Sequence, residues 1–244
     1  MQHSNFHTIK FILLLTIIVS SLLSITSINL ASIQKNNKDI DQKKNILESI
    51  GLNISKLNSE NIIEEYNNRI RNVVLDINGN IVDDIKFNLL NAHEDKRTGE
   101  INYFIDKNEY LLAYQSVNPP AFIMPISGKG LWSTLYGYFA LANDYNTVKG
   151  ITFYEHGETA GLGGEIEKKW FRDNFIGKKI YNDKGELVSI IVVKGKASDK
   201  LDEETLIHGV DGISGATITS KGVTDLLKRD LNRYKIFMDK NRRN

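Results

Sequence analysis

The sequence predicts an α+β protein with one N-terminal transmembrane helix, followed by a mainly antiparallel-sheet domain with flanking helices. Three observations predict this class: a long uncharged apolar segment near the N-terminus, hairpin turn signals between β-rich runs, and an amphipathic helical pattern near the C-terminus. With 244 residues, 41% of them hydrophobic, the chain is long enough to bury a core. We expect an N-terminal segment with its anchor over residues 1–34, a helical connector over 35–72 and one extramembrane domain over 73–244.

The apolar N-terminal segment is predicted to be a membrane anchor. No charged residue occurs from Phe11 to Gln34, a run of 24 residues, and a helix needs about 20 residues to cross a bilayer. The alternative is a cleaved signal peptide, whose apolar region is usually about 7–15 residues long. The longer run and the lack of a clean Ala-x-Ala sequence favour an anchor. Charge counting would place the following domain in the cytoplasm, because one lysine precedes the segment and four follow it closely.

The connector is predicted to form two short helices. Apolar residues recur at helical spacing in NKDIDQKKNILESI, and Gly51 follows as a C-cap. The stretch SENIIEEYNNRI repeats the pattern, with Ser59 as the candidate N-cap.

Strand patterns begin after Arg71. VVLDINGNIV contains the hairpin turn signal Asn78-Gly79, and YFIDKNEYLLAYQ and YNDKGELVSIIVV predict two further hairpins. LWSTLYGYFAL and VKGITFYEH supply further β-rich runs. A short helix is expected from Glu165 to Phe175, and a longer one near the C-terminus.

Composition limits the chemistry of the chain. The absence of cysteine excludes disulfides, thiolate catalysis and cysteine-ligated iron–sulfur clusters. Two of the five histidines precede the apolar segment, so no metal site is predicted. The net charge of +1 lacks the basic excess that nucleic-acid binding requires, and no nucleic acid is expected as a partner.

The stretch DGISGATITS, residues 211–220, lies directly before the last predicted helix. Thr219 or Ser220 is expected to cap that helix, whose apolar face recurs at helical spacing from Val223 to Tyr234. Backbone N–H groups at a helix N-terminus can bind a phosphate, and glycines allow close approach. The alternative is an ordinary capped helix after a turn. Capping needs one hydroxyl group, however, and the stretch contains four.

DGISGATITS resembles a flavinylation motif, in which a flavin transferase esterifies FMN through its phosphate to a threonine. The motif and three further stretches are together similar to the C subunits (NqrC) of the sodium-translocating NADH:quinone oxidoreductases. These stretches are GKGLWSTLYGYFAL, VKGITFYEHGETAGLGGEIEKKW and the DQKKNILESIGL that follows the anchor. The resemblance covers nearly the whole chain. It implies covalent FMN on Thr217, in a motif formed with Asp211, Ser214, Gly215 and Ala216.

A second stretch, HGETAGLGGE, begins at His156. By itself it predicts a glycine-rich turn, and His156 with Glu158 is too few ligands for a metal site. In the resembling family this loop lies against the flavin ring, although Ala160 stands where the family often has proline. The resemblance implies the following cofactor-binding residues: Thr159, Leu162, Gly163 and Gly164, with Gly161 giving further room.

The patch SGKGLW supplies Lys129, which could neutralise flavin charge, and Trp132. The indole of Trp132 could stack on the flavin ring or, alternatively, begin a buried strand.

The resemblance implies an electron-transfer subunit with no catalytic residue beyond the flavin. Its complex would oxidise NADH, reduce ubiquinone and export Na⁺. The implied partners are the other subunits, the flavin transferase and the membrane. The implied location is the bacterial cytoplasmic (inner) membrane, with a single span and the large domain on the periplasmic side, against the lysine count. The alternatives are the equivalent FMN subunit of an ion-translocating ferredoxin:NAD oxidoreductase, and an anchored binding or sensor module without redox function.

Overall fold

The computed structural model describes residues 5–242, which fall into two compact units that meet in sequence at Gln42 and Lys43. Helix α1 (Asn5–Ser49) contains an exposed apolar segment that is long and apolar enough to cross a membrane, by length and composition. No other helix among the described residues meets that criterion. The division into 1–34, 35–72 and 73–244 stays a prediction.

The anchor and the first connector helix are one continuous helix, not two as predicted. No glycine or proline interrupts the sequence between them, so nothing ends the helix before Ser49. The predicted stop at Gly51 is confirmed: its φ is +87°, its N–H bonds to the carbonyl of Glu48, and Leu52 N–H bonds to the carbonyl of Leu47. These are the two hydrogen bonds of a Schellman motif.

Helix α2 (Ser59–Arg69) begins one residue earlier than predicted. Its N-cap is Asn58, whose side chain accepts a hydrogen bond of 2.9 Å from the N–H of Asn61. Asparagine and serine cap helices about equally well, so the sequence could not rank the two neighbours.

Seven strands form one antiparallel sheet, which confirms the predicted fold class. They run in the order β2-β3-β4-β5-β6-β7, and β1 pairs along the length of β4. A separate pair of two-residue strands, β8 and β9, is parallel. The strands are β1 (Ile70–Asp76), β2 (Asn91–Asp95), β3 (Glu100–Ile105), β4 (Asn108–Ser116), β5 (Ala121–Lys129), β6 (Thr134–Leu141), β7 (Val148–Glu155), β8 (Ile191–Val192) and β9 (Gly209–Val210).

The three predicted hairpin turns form, but only one joins two full strands. The middle prediction is confirmed by the β3–β4 hairpin. At Asn78-Gly79 the chain turns with a φ of +71° at Gly79, but the returning segment pairs with β1 only through an isolated bridge at Ile81. At Gly185 the return is likewise a single bridge, between Tyr181 and Leu187.

Helix α4 (Thr217–Arg242) packs on one face of the sheet and closes the main core. Tyr234 also donates a 2.5 Å hydrogen bond to the carbonyl of Leu112. The predicted helix from Glu165 to Phe175 is broken into 3-10 turns around a four-residue α3 (Lys169–Arg172). All five apolar positions predicted for the last helix are buried: Val223, Leu226, Leu227, Leu231 and Tyr234.

The end of α1 covers a different face of the sheet from α4. Thr152 on β7 donates a 3.1 Å hydrogen bond to the carbonyl of Asn45, whereas its neighbours Ile151 and Phe153 point into the main core. Because side chains alternate along a strand, these contacts lie on opposite faces. Leu47 and Ile50 are 0% and 2% exposed.

Candidate functional site

Helix α4 begins at Thr217, two residues before the earlier of the two predicted caps. Its first intrahelical hydrogen bond runs from Ser220 N–H to the carbonyl of Ala216, over 2.9 Å. Ala216 therefore occupies the cap position, and its methyl group cannot accept a hydrogen bond. Within residues 5–242, no acceptor contacts the N–H groups of Thr217, Ile218 and Thr219.

The four hydroxyl groups of the motif divide into two pairs. Thr219 and Ser220 are 1% and 3% exposed; Thr219 Oγ1 donates to Glu158 Oε2 over 2.5 Å, and Ser220 Oγ accepts weakly from Ile213 N–H at 3.4 Å. Ser214 and Thr217 are exposed and have no side-chain hydrogen bond within the described part of the chain. The hydroxyls available to a reagent are therefore those of Ser214 and Thr217.

Gly215 connects the motif to the second predicted stretch. Its φ is +76°, a conformation that glycine adopts readily, and a Cβ built on it would lie 2.8 Å from Cδ2 of Leu162. Leu162 is 43% exposed despite its apolar side chain. The structure thus brings the two stretches together at the N-terminus of α4.

The loop around Leu162 is folded onto the carbonyl of Thr159. The N–H groups of Leu162 and Gly164 donate to that carbonyl over 3.1 and 2.9 Å. Thr159 and Gly161 are exposed, whereas Gly163 and Gly164 are buried. The loop therefore presents the Thr159 side chain, the Leu162 side chain and the Gly161 backbone to solvent.

Asp211 supports a neighbouring loop and does not point into the open space at Thr217. Its Oδ1 accepts a 2.7 Å hydrogen bond from Ala197 N–H, and the next residue, Gly212, donates to the carbonyl of Gly195 over 2.9 Å. A groove of about 270 Å³ lies between the segment 191–194 and the start of α4. Its lining includes Ile191, Val193, Lys194, Gly212, Thr217 and Lys221.

Glu158 is the residue whose role the sequence did not indicate. Its carboxylate accepts hydrogen bonds from the N–H groups of three consecutive residues, 131–133, as well as from Thr219. Burial alone would raise the pKa of Glu158, but the hydrogen bond from Thr219 and those from the backbone outweigh it and lower the pKa. The donors come from distant parts of the chain, so no local motif identifies this arrangement.

Trp132 is 68% exposed, and β6 begins only at Thr134, so the alternative that Trp132 begins a buried strand is wrong. Lys129 ends β5 with its side chain exposed.

His156 does not join a metal cluster within residues 5–242. Its Nδ1 accepts a hydrogen bond from Glu158 N–H over 3.2 Å, and its Nε2 lies 3.5 Å from Glu167 Oε2.

Comparisons with known proteins identify related sequences. Residues 130–232, which include both stretches, match the family of FMN-binding domains. The C subunit of the Na(+)-translocating NADH-quinone reductase of Haemophilus ducreyi is 36% identical over 234 residues, covering 91% of this chain and 87% of that protein. The corresponding protein of Pseudomonas aeruginosa is 31% identical over 240 residues, covering 93% and 91%.

Solved structures extend the similarity to the fold. The crystal structure of the C subunit of the Na(+)-translocating NADH-quinone reductase from Parabacteroides distasonis is 36% identical and superposes with a TM-score of 0.69. The match covers 86% of this chain and 96% of that one. With relatives of this identity and coverage, the chain belongs to the NqrC family, the C subunits of the Na(+)-translocating NADH-quinone reductases.

Proposed function

We propose that this chain carries its FMN covalently, through a phosphoester between the FMN phosphate and Oγ of Thr217. As a member of its family, the chain is an FMN-containing electron-transfer subunit of a complex that oxidises NADH, reduces ubiquinone and exports Na⁺. The observation that supports this attachment site is the exposed hydroxyl of Thr217 at the uncapped N-terminus of α4.

The N-terminus of α4 suits an esterified phosphate. Three successive backbone N–H groups, from Thr217 to Thr219, lack an internal acceptor within residues 5–242. A phosphoester retains one negative charge, which a helix N-terminus stabilises by about 0.3–1 kcal/mol. Thr219 is a poor alternative attachment site, because its hydroxyl is buried and bonded to Glu158.

The adjoining loop suits the flavin ring. Leu162 presents an exposed apolar surface beside Gly215, and the exposed Thr159 and Gly161 supply polar and backbone groups. A flat heteroaromatic ring binds to such a combination of apolar contact and a few fixed polar groups. Gly163 and Gly164 lie behind this surface and allow the loop to fold tightly. In this proposal Ser214, Gly215, Ala216 and Asp211 shape the turn that presents Thr217.

FMN bound at this position supplies the electron-transfer chemistry, and the residues of the chain attach and orient it. A threonine hydroxyl can accept a phosphoryl group, and the chain has no cysteine for a thioether link to the ring. Covalent attachment fixes the local concentration of the cofactor, which cannot dissociate between turnovers. We propose no catalytic residue beyond the flavin.

Attachment requires a flavin transferase, which we propose as a maturation partner. The apolar helix α1 fits a single-pass membrane protein of the reductase complex. We further propose that α1 spans the bacterial cytoplasmic membrane and that the large domain lies on the periplasmic side, where that transferase acts. Protease added to intact spheroplasts should then digest the large domain. Digestion only after the membrane is opened would contradict this orientation.

Thr217→Ala tests the attachment site. The substitution removes the acceptor oxygen from an exposed side chain, so the protein should fold and insert normally but lose covalent FMN. After denaturing electrophoresis, flavin fluorescence should be present for the wild type and for Thr219→Ser, and absent for Thr217→Ala. A folded Thr217→Ala protein that keeps covalent flavin would contradict the proposed site.

A further inference from the structure

The Leu131–Ser133 turn directs three consecutive N–H groups at the carboxylate of Glu158. Leu131 N lies 3.2 Å from Oε2, and the nitrogens of Trp132 and Ser133 lie 2.9 and 3.3 Å from Oε1. Successive N–H groups that converge in this way form a concavity that binds anions. Here the anion is a side chain of the same protein, from the segment that follows β7.

Two glycines make room for this carboxylate. A Cβ on Gly130 would lie 2.7 Å from Glu158 Oε1, and a Cβ on Gly163 would lie 2.7 Å from Oε2. Both distances are too short for carbon–oxygen contact in a close-packed interior, so a larger residue would displace the carboxylate. Since Gly163 follows Leu162 directly, the carboxylate of Glu158 lies immediately behind the loop that carries the exposed Leu162.

The same carboxylate contacts the helix that carries Thr217. Thr219 Oγ1 donates to Oε2 over 2.5 Å from the first turn of α4. Glu158 is therefore the shared acceptor for a turn that exposes Leu131 and Trp132 and for the helix end that exposes Thr217. Among the residues that the structure describes, no other carboxylate accepts from both segments.

We propose that Glu158 is a positioning residue of the flavin site, in addition to the residues assigned above. Its carboxylate fixes the Leu131–Ser133 turn, the Gly163 loop and the first turn of α4 relative to one another, and its charge disfavours reduction of the attached FMN. This inference rests on the proposed function, because it concerns FMN attached to Thr217.

The electrostatic effect follows from the charge that reduction adds. An electron that passes from a donor centre to the flavin brings negative charge into the site, and a fixed negative charge nearby opposes its arrival. Glu158 is 8% exposed, so water and salt screen its charge less than that of a surface carboxylate. Replacing it with neutral glutamine should therefore make the bound FMN easier to reduce.

Two measurements on the full-length, flavinylated protein in detergent test the inference. Redox titration tests the electrostatic effect of Glu158, and the absorption spectrum of the bound flavin tests its positioning effect. Glu158→Gln removes the charge and preserves the size of the side chain. Thr219→Val preserves the charge and removes only the hydrogen bond from α4, and Thr219→Ser restores that bond. Glu64→Gln, which removes an exposed charge from α2, is the matched control.

The inference predicts a positive shift of the FMN midpoint potential in Glu158→Gln and the wild-type potential in Glu64→Gln. It also predicts that Thr219→Val alters the absorption spectrum of the bound flavin and that Thr219→Ser restores it. A flavin-bearing Glu158→Gln protein with the wild-type potential would overturn the electrostatic effect. A wild-type spectrum in Thr219→Val would overturn the positioning effect, and this second test stands even if Glu158→Gln does not fold.

Flavin fluorescence of the denatured samples separates these outcomes from the attachment site. Suppose that wild-type FMN is covalent, that Glu158→Gln leaves the midpoint potential unchanged and that Thr219→Val leaves the absorption spectrum unchanged. The inference about Glu158 then fails, while attachment at Thr217 stands. If the wild type carries no covalent flavin although an active flavin transferase is present, the proposed covalent attachment at Thr217 is itself contradicted.

Discussion

Asp230 is a buried carboxylate on α4 whose ion pair does not compensate fully for its loss of water. It is 4% exposed, and its Oδ1 accepts from Arg229 over 2.6 Å while its Oδ2 accepts from Ser127 N–H over 3.0 Å. Burial outweighs these contacts and raises the pKa of Asp230 to about 6, from an ordinary value of 3.8. The folded chain therefore binds this proton more tightly than the unfolded chain.

This difference predicts an unusual pH dependence of stability. Between pH 3.8 and about 6 the folded state holds a proton that the unfolded state has lost, so the contribution of Asp230 to the free energy of unfolding falls as pH rises. One proton gives a slope of at most about 1.4 kcal/mol per pH unit. Asp230→Asn, which cannot ionise, should lack this slope.

Urea unfolding of the detergent-solubilised protein at several pH values from about 4 to 7 measures this effect. The difference in unfolding free energy between the wild type and Asp230→Asn should change with pH across that window. Profiles that run parallel would show that the pKa of Asp230 is not raised in the folded chain.

The functional residues differ in whether their role can be recognised from neighbouring residues in the sequence. Thr217 belongs to a contiguous ten-residue motif, so the sequence alone could single it out. Glu158 could not be found in this way, because its donors lie 25–61 residues away along the chain. The direction in which Thr219 points was unpredictable for the same reason, since its hydroxyl is turned inward by Glu158.

At the scale of elements, the sequence predicts that a helix forms better than it predicts the residue at which the helix begins. Thr219 and Ser220 are good N-cap types and Ala216 is a poor one, so local preference places the start of α4 too late. The hydroxyl of Thr219 instead makes a tertiary hydrogen bond to Glu158, and that of Ser220 accepts from Ile213 N–H within the motif. The turn at Gly185 shows the same limit for strands: the turn residues are local, but the extent of pairing depends on the rest of the sheet.

The packing of α4 predicts that Gly222→Ala destabilises the protein, the reverse of the usual effect of glycine to alanine in a helix. In an exposed helix interior, glycine to alanine stabilises by about 1 kcal/mol. A Cβ on Gly222, however, would overlap the carbonyl oxygen of Lys129 and lie 3.4 Å from Cα of Gly130. Gly222→Ala should therefore destabilise the protein by about 1–3 kcal/mol.

The matched control for Gly222 is Lys228→Ala, a change at an exposed position of the same helix that should alter stability by less than about 0.5 kcal/mol. Denaturant unfolding of both variants makes the comparison. A stabilised Gly222→Ala protein would show that α4 does not pack this closely against the end of β5.

At the scale of the whole molecule, the compact unit that starts at Lys43 includes the last turns of α1. A chain that starts at Lys43 should therefore fold in water and accept FMN from the transferase. A chain that starts at Leu52 loses three apolar side chains that are at most 2% exposed, Ile46, Leu47 and Ile50. At about 1.5–3 kcal/mol for each buried side chain, it should be less stable by at least about 4 kcal/mol.

Thermal unfolding of the two truncated chains, with the same buffer and flavin content, checks this boundary. Equal stability would mean that the end of α1 contributes nothing to the core of the large unit. The sequence predicted the helical pattern of these residues but not the face they cover, because periodicity shows which side of a helix is apolar and not what packs against it.

Mass spectrometry is the most direct test of whether Thr217 carries FMN. The protein is purified from its native membrane and denatured, its intact mass is measured, and peptides spanning residues 200–221 are mapped. We expect an FMN-sized addition that survives denaturation and lies on Thr217. An unmodified Thr217 in membranes that contain an active flavin transferase, or FMN on another residue, would contradict it.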